Sequence, residues 1–343
     1  MAAVPSTDCM VLRLRLRSGG IDSVHIASPR ALAPPLHGRP AAQLPGLVGG
    51  LYALCGHAHA VAARIAVAAA CGERADPAGF AAGLDAERIA DAVRTAAIGW
   101  PHAGIGPLLH SGELAAARDL LGACREVVDG KPQRARDVVR AGRFLCTADF
   151  ERRALSALPP RDPFAVPRSR ALGPAHDAHV IAALRVGGGA FARQPELPGA
   201  LLETGSYARC GVAPAAAGGT LAARMRARLH DLRQALRRLE DAATLPDAAC
   251  AGGSSGAGDG WGAVESPRGR LYHWLRVDAA GTVCAHAVAA PTEWNFHPDG
   301  PLARAVRGTQ VADADEARVA VGWLAALFDP CVPFRVEDDA QAA

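Results

Sequence analysis

Apolar and polar side chains alternate along residues 11 to 28, on both sides of the glycine-containing sequence SGG at 18 to 20. Alternation with a period of two is typical of strands that bury one face, and glycines between two such runs favour a tight turn. The pattern therefore predicts a two-stranded hairpin. A second hairpin is predicted within residues 262 to 294, with its turn at 278 to 281.

The apolar run from about 47 to 72 predicts one buried helix with Cys55 inside it, because the run is too long for a strand and contains no proline. Amphipathic spacing predicts further helices near 86 to 98, 112 to 128, 218 to 242 and 313 to 327. The third of these carries many arginines, and such charge runs usually mark a face in contact with solvent. We therefore expect a solvated helix that packs on the core.

Two stretches have the composition of irregular chain. Residues 157 to 175 are rich in Pro and Arg, and residues 251 to 260 (AGGSSGAGDG) predict a flexible loop. Together with the predicted helices and hairpins, this indicates an α+β fold with a mainly helical core and small antiparallel hairpins near both ends. We predict a single domain over residues 1 to 343.

Composition narrows the classes of function. With 343 residues, of which 50% are hydrophobic, the chain can bury a large core, and a net charge of +3 indicates neither a nucleic-acid surface nor a membrane patch. The sequence has no apolar run long enough for a signal peptide or membrane span, so we expect a cytoplasmic protein without membrane insertion. Nine cysteines without any CxxC pair favour reduced thiols over a disulfide framework or a zinc ribbon.

A series of short motifs resembles the large subunit of [NiFe]-hydrogenases. Cys55-Gly56 follows a GRP sequence at 38 to 40, as the first cysteine motif of that family follows a GRxP element, and Asp329-Pro330-Cys331 is similar to its terminal DPCxxC element. Between them, in the family's order, stand LETGSYAR at 202 to 209, ESPRG at 265 to 269, HW at 273 to 274 and PTEWN at 291 to 295. The resemblance implies a large-subunit-like fold.

The departures from the family pattern imply that hydrogen chemistry is absent. The family's second, metal-bridging cysteines are replaced by Ala58 and Phe334, which cannot coordinate a metal, so no stable nickel is expected. The family's RxEGH element has its nearest counterpart in RLRLR at 13 to 17, which has no carboxylate. The family chain is cut after a His three residues past its last cysteine, whereas the segment after Cys331 runs VPFRVE at 332 to 337 and contains no His, so we expect no C-terminal processing.

The residues that the family places around its iron centre have counterparts in this sequence. In the family, an arginine and a hydroxyl residue donate to the two cyanides on iron, and the matching residues here are Arg268 and Thr292. The resemblance implies that Cys55 and Cys331 hold an Fe(CN)2CO unit transiently, while Asp329 orients Arg268. His57 and His59 are two residues apart on a predicted helix, so they point away from each other and are not expected to share a metal.

This pattern is similar to that of HupK-type hydrogenase expression/formation proteins, which implies a non-catalytic assembly scaffold. Its implied partners are a HypC-type chaperone with HypD and the hydrogenase large subunit. Two alternatives stay open: a metal-free structural or interaction protein that keeps the fold, and a divergent nickel-dependent oxidoreductase. In the metal-free alternative Cys55 and Cys331 are small buried hydrophobes and Arg268 is a structural ion-pair partner.

Overall fold

The computed structural model describes residues 9–28, 36–164, 169–200, 202–210, 219–243, 246 and 249–339. The helices are α1 (Leu44–Leu51), α2 (Gly56–Ala70), α3 (Ala81–Arg94), α4 (Trp100–His102), α5 (Ser111–Val128), α6 (Ala135–Gly142), α7 (Ala148–Ser156), α8 (Asp177–Arg193), α9 (Ser206–Cys210), α10 (Gly219–Glu240), α11 (Pro291–Asn295), α12 (Pro301–Val306) and α13 (Ala314–Phe328). The strands are β1 (Met10–Arg17), β2 (Gly20–Ala27), β3 (Arg170–Ala171), β4 (Leu202–Glu203), β5 (Cys250–Gly256), β6 (Asp259–Ser266), β7 (Gly269–Val277), β8 (Val283–Ala289) and β9 (Phe334–Asp338).

The N-terminal hairpin is confirmed and extended by a strand that the sequence pattern does not predict. Strands β1 and β2 pair antiparallel, and the turn between them places Ser18 and Gly19 at positive φ. Strand β9, directly after Cys331, pairs parallel with β1 and gives a sheet of order β2-β1-β9. The segment that follows the second cysteine motif is therefore built into one sheet with the N-terminal hairpin.

The largest core cluster lies between helices. It takes its buried side chains mainly from α3, α5, α10 and α13, together with the inner face of the N-terminal sheet. The predicted helices near 86–98, 112–128, 218–242 and 313–327 correspond to these four elements, with a π-helical turn at Thr95–Gly99 following α3. The stretch 157 to 175 contains β3 and a short 3-10 turn, and its residues 165–168 lie outside the described ranges.

The prediction of one continuous helix from 47 to 72 is wrong. The chain breaks between α1 and α2, and Cys55 caps the N-terminus of α2 instead of lying inside a helix. The break lets α1 fold back on α2, and the approach is so close that a side chain on Gly56 would collide with the carbonyl of Gly49. Glycines at the contact therefore favour two packed helices over one long helix.

The flexible loop predicted at 251 to 260 is also wrong, because these residues form β5 and begin β6 in a four-stranded antiparallel sheet of order β5-β6-β7-β8. The glycines are packed rather than mobile. A Cβ on Gly252 would collide with Ile65, and a Cβ on Gly260 or Gly262 would collide with the backbone of α2. Glycine is needed because α2 lies directly on this sheet.

The α+β class, with a mainly helical core and small sheets, is confirmed. Among the described residues, no helix combines the length and the apolar character needed to cross a membrane. No disulfide joins the nine cysteines, all of which lie within the described ranges.

Candidate functional site

The two motif cysteines arrive at one place from opposite ends of the chain. Cys55 precedes the first turn of α2, and Cys331 follows α13 after a turn at Asp329, whose φ of 57° reverses the chain direction. Their side chains are close enough to interact electrostatically with each other and with Arg268. The structure thus brings together the residues that the sequence motifs indicate.

Cys55 is buried, with 8% of its surface exposed, and its backbone is fixed on both sides. Its N–H donates to Tyr52 O, and its own carbonyl accepts from His59 N, which starts the hydrogen-bond ladder of α2. Burial raises the pKa of the Cys55 thiol well above its ordinary value, although the charge of Arg268 acts in the opposite direction. The resting side chain is therefore a neutral thiol in a charged surrounding.

Cys331 is less deeply buried and is tied to Thr292. The Thr292 hydroxyl donates to Cys331 Sγ at 3.1 Å, and the Cys331 N–H donates back to the same hydroxyl oxygen at 3.1 Å. Thr292 stands in the first turn of α11, where Pro291 starts the helix. The sequence analysis expected the Thr292 hydroxyl to be free to donate to a cyanide. Its only proton is instead donated to Cys331 Sγ.

Arg268 lies between the acidic groups of this site and is 6% exposed. Its Nη2 is 2.9 Å from Asp91 Oδ1, and its Nε is 3.5 Å from Asp329 Oδ2 without the geometry of a hydrogen bond. Burial alone would lower its pKa, but the carboxylates of Asp329 and Asp91 outweigh that effect and raise it. The guanidinium therefore stays charged.

Part of the Arg268 guanidinium has no acceptor. Its Nη1 is buried and makes no hydrogen bond to any residue that the structure describes. A buried, unpaired donor on a charged group costs about 1–3 kcal/mol, and folded proteins rarely leave one. Electrostatic contact with Cys55 and Cys331 places this guanidinium beside the thiols. An acceptor bound there would satisfy it.

Asp91 and Arg228 belong to the same site but were missed by the sequence analysis. Arg228 Nη1 is 3.1 Å from Asp329 Oδ2, and its guanidinium also approaches Asp91 and lies over the Trp100 ring. Burial raises the pKa of Asp91, whereas Arg228 and Arg268 lower that of Asp329 in spite of its burial. These two carboxylates and two guanidiniums form a closed ion-pair network under the cysteines.

The solvated arginine face predicted for the helix at 218 to 242 is therefore only partly right. Arg228 points into the site, and Arg224 is 2% exposed and paired with the buried Glu203 at 2.6 Å. Asp231, on the same helix, is also buried and binds Arg209 at 2.7 Å. Charge density along a helix does not distinguish a solvated face from one that enters a buried ion-pair network.

Glu87 is a second residue that the motifs did not indicate. Its carboxylate accepts from the N–H groups of His57 and Ala58 at 2.7 and 2.9 Å, which are free donors at the start of α2. Burial raises its pKa to about 7, against the opposing effect of these two hydrogen bonds. Glu87 therefore fixes the segment that carries Cys55, from a neighbouring helix.

Neither former cysteine position offers a ligand. Ala58 is fully buried in the first turn of α2, and Phe334 begins β9 opposite Met10. In the described part of the chain, no three His, Cys, Asp or Glu side chains converge as a metal site. The soft donor atoms that the described residues offer at this site are the two sulfur atoms of Cys55 and Cys331.

His57 and His59, which follow Cys55 in the sequence, contact residues outside the cysteine site. His59 Nδ1 is 2.9 Å from His273 Nε2, and His273 Nδ1 is 3.1 Å from His286 Nε2, so the three rings form a row from α2 across the four-stranded sheet. His273 contacts its two neighbours through opposite ring nitrogens, which excludes convergence on one ion. His57 points at Gly83, away from this row.

Comparisons with known proteins identify relatives of this chain. The family model for nickel-dependent hydrogenase matches residues 202–336. The chain is 37% identical to a hydrogenase expression/formation protein HupK of Rhizobium leguminosarum bv. viciae, over 90% of each chain. It is 30% identical to the hydrogenase expression/formation protein HoxV of Cupriavidus necator, over 95% of each chain.

Solved structures show the same fold at low sequence identity. The Ni-Fe-Se hydrogenase of Desulfomicrobium baculatum matches with a TM-score of 0.66 and 14% identity, over 93% of this chain and 95% of that chain. The Ni-Fe-Se hydrogenase of D. vulgaris Hildenborough matches with a TM-score of 0.63 and 15% identity, over 92% and 94%. At such identities the likeness establishes the fold alone.

Proposed function

The chain belongs to the family of hydrogenase expression/formation proteins that includes HupK and HoxV, and we propose that it serves in the formation of a [NiFe]-hydrogenase by carrying an Fe(CN)2CO unit on Cys55 and Cys331. The unit is cargo that passes on to the hydrogenase large subunit. A HypC-type chaperone with HypD would supply it, in the cytoplasm.

The observation that carries this proposal is the unpaired donor of Arg268 beside two thiols. Cyanide ligands on iron are anionic acceptors, and a guanidinium is a suitable partner because it stays charged when removed from water. Asp91 and Asp329 hold the guanidinium from the side opposite to its free nitrogen. Other buried arginines of the described chain leave only Nε without an acceptor, whereas Arg268 also leaves a terminal nitrogen unpaired.

The cysteines provide soft sulfur ligands, which suit low-spin iron. Binding would displace the thiol protons, since only a thiolate coordinates. The Thr292 hydroxyl already donates to Cys331 Sγ, so it would stabilise negative charge on that sulfur. In this proposal, Cys55 and Cys331 ligate the iron. Arg268 donates hydrogen bonds to the cyanides, Thr292 donates to the Cys331 sulfur, and Asp329 orients Arg268.

A scaffold is favoured over an enzyme because the bridging thiolates are absent. With Ala58 and Phe334 at those positions, the site has two sulfur ligands where a nickel-iron pair needs four. We expect no hydrogen turnover and no stable nickel. The segment after Cys331 is built into the N-terminal sheet as β9, which supports the expectation that it is not removed by processing.

The test is infrared spectroscopy on protein purified anaerobically from cells that express the maturation machinery, because cyanide and carbonyl stretches report the ligands directly. Wild type should show these bands, and Cys55→Ser and Cys331→Ser should each lose them, since a serine hydroxyl is a poor ligand for such iron. Cys250→Ser, equally buried, and Cys210→Ser, equally half-buried, are matched controls that should keep the bands.

A combination of two results would contradict the scaffold. If wild-type protein shows no bands, and both serine variants still support hydrogenase formation in cells, the cysteines are not ligands. The protein would then act as a metal-free structural or interaction partner.

A further inference from the structure

The outer face of the N-terminal sheet carries a row of arginines that the site does not use. Leu12 and Leu14 of β1 are buried, so the alternating residues Arg13, Arg15 and Arg17 point to the opposite face. Arg15 and Arg17 are exposed, and neither forms an ion pair with a residue that the structure describes. Three arginines at every second position span about 14 Å of strand.

The neighbouring strands do not neutralise this row. The register places His25 of β2 opposite Arg13, and Glu337 of β9 on its other side. Glu337 is shared between Arg13 at 3.4 Å and Arg335, which lies on the same face. The four arginines Arg13, Arg15, Arg17 and Arg335 outnumber Glu337 even together with the exposed Asp22 at the irregularity of β2, so these strands keep an excess of positive charge.

Among the described residues, one edge of this sheet carries no further strand. Strand β2 meets the segment 308–310 at its beginning, where Ile21 N donates to Thr309 O at 2.9 Å. Beyond that point, the outer edge of β2 pairs with no other strand in the described part of the chain. An open strand edge offers backbone groups to an extended peptide.

The open edge leads to a cavity of about 530 Å³. The end of β2 forms one wall, the end of α8 with Ala190 and Arg193 forms another, and α11 contributes Thr292 and the carboxylate of Glu293. Thr292 is the residue whose hydroxyl contacts Cys331 Sγ at 3.1 Å. The cavity and the thiol therefore share a wall, so a group placed in the cavity is one side chain away from the site.

We propose that this basic face, the open edge of β2 and the cavity form a docking site for an extended acidic segment of the protein that delivers the iron unit. The inference rests on the proposed function for the identity of the partner. The arginines select negative charge, the strand edge selects extended backbone, and the cavity brings the end of the segment to Thr292.

Binding is measured between the full-length protein and the purified HypC-type chaperone with HypD, at low and at high salt. Arg15→Glu combined with Arg17→Glu should lower the association rate constant about tenfold at low salt and flatten its salt dependence. The matched control reverses the charge of two exposed arginines outside the sheet, Arg118→Glu on α5 with Arg136→Glu on α6. This double variant should bind as wild type does. Equal binding by both double variants, or no binding by wild type, would overturn the proposal.

The cavity is tested by a second pair of variants on α8. Ala190→Trp fills the cavity and should speed dissociation, whereas Val186→Trp, before the kink of α8 at Gly188 and at a position that is 92% exposed, should not. If the Ala190→Trp variant dissociates at the wild-type rate, the cavity is not part of the docking site. Circular dichroism confirms folding of each variant, which is expected because all these side chains are on the surface.

The failure of this proposal and that of the scaffold are separable. The Cys55→Ser variant should dock like wild type while it lacks cyanide bands, because docking does not involve the thiol. Charge-dependent docking would refute the scaffold alone if wild type shows no bands and both serine variants still support hydrogenase formation. Bands with charge-independent docking would refute the docking site alone.

Discussion

The surroundings of Cys55 and Cys331 differ although both cysteines occupy corresponding positions in their motifs. Cys55 is buried at the start of a helix, and Glu87 fixes its neighbours through two backbone hydrogen bonds. Cys331 is half-buried, follows a left-handed turn, and is held by one hydroxyl and by the strand behind it. One thiol belongs to the interior, and the other stands near the surface beside a cavity.

The difference indicates an order of events at the site. Under the proposed scaffold function, a cargo that approaches from solvent would meet Cys331 before Cys55, because of the two only Cys331 is partly accessible. Arg268 lies between both, with its charge maintained by Asp91 and Asp329. The buried half of the site would then provide retention, whereas the accessible half would provide exchange.

The largest effect is expected from Arg268→Leu, which removes the cation common to both halves. Asp91 and Asp329 would remain buried, so the free energy of unfolding should fall by about 3–5 kcal/mol. Denaturant unfolding measures it, with Arg335→Leu at a half-exposed ion pair as a control that should change by less than about 1 kcal/mol. In loaded protein the cyanide bands should shift or weaken but persist. An unchanged unfolding free energy would show that the ion-pair network does not hold the site.

A smaller, pH-dependent effect is expected from Glu87→Gln. The pKa of Glu87 is raised from its ordinary 4.5 to about 7, so the folded state binds the extra proton between these values. Its contribution is fully present below about 4.5 and is lost as pH rises through 7, on the order of 2–3 kcal/mol. Wild type should therefore lose stability relative to the Gln variant between pH 5 and 8. As a control, Glu240→Gln at an exposed position should show the same pH dependence of stability as wild type. If Glu87→Gln shows it too, the pKa of Glu87 is not raised in the folded protein.

The smallest effect concerns thiol accessibility. Iodoacetamide should modify Cys331 at least about tenfold faster than Cys55 in folded protein at neutral pH, because burial suppresses both access and thiolate formation at Cys55. Peptide mass spectrometry resolves each site, with the exposed Cys284 and the buried Cys124 as fast and slow references. Equal rates at Cys55 and Cys331 would refute the contrast between the two halves.

Motif order predicted the residues that meet at the site, because short sequences around Cys55, Arg268, Thr292 and Cys331 carry the resemblance individually. Asp91 and Arg228 were missed because they lie in amphipathic helices without a motif, where a charged residue looks like part of a solvated face. A signal for Glu87 was present in its spacing of four from Asp91, which places both carboxylates on one helical face.

The fold was predicted least well where glycine was interpreted by composition. The AGGSSGAGDG segment has the composition of a linker. Its last residue, Gly260, and the following Gly262 nevertheless occupy alternate positions on one strand face, where α2 packs against the backbone. Similarly, glycines at the contact between α1 and α2 allow a break that apolar continuity does not indicate. Both errors arise from close backbone approach, which depends on partners far away in sequence.

The pairing of β1 with β9 has a consequence for the folding pathway. Met10 and Phe334 are register partners separated by more than three hundred residues, so their pairing closes a very large loop. Closure of such loops costs entropy before it yields contacts, and high contact order slows folding. Cys331 is attached to this pairing, so the cysteine site should be among the last regions to reach its native geometry. Partly folded chains would then keep the two thiols apart, and only the native chain would be competent to receive iron.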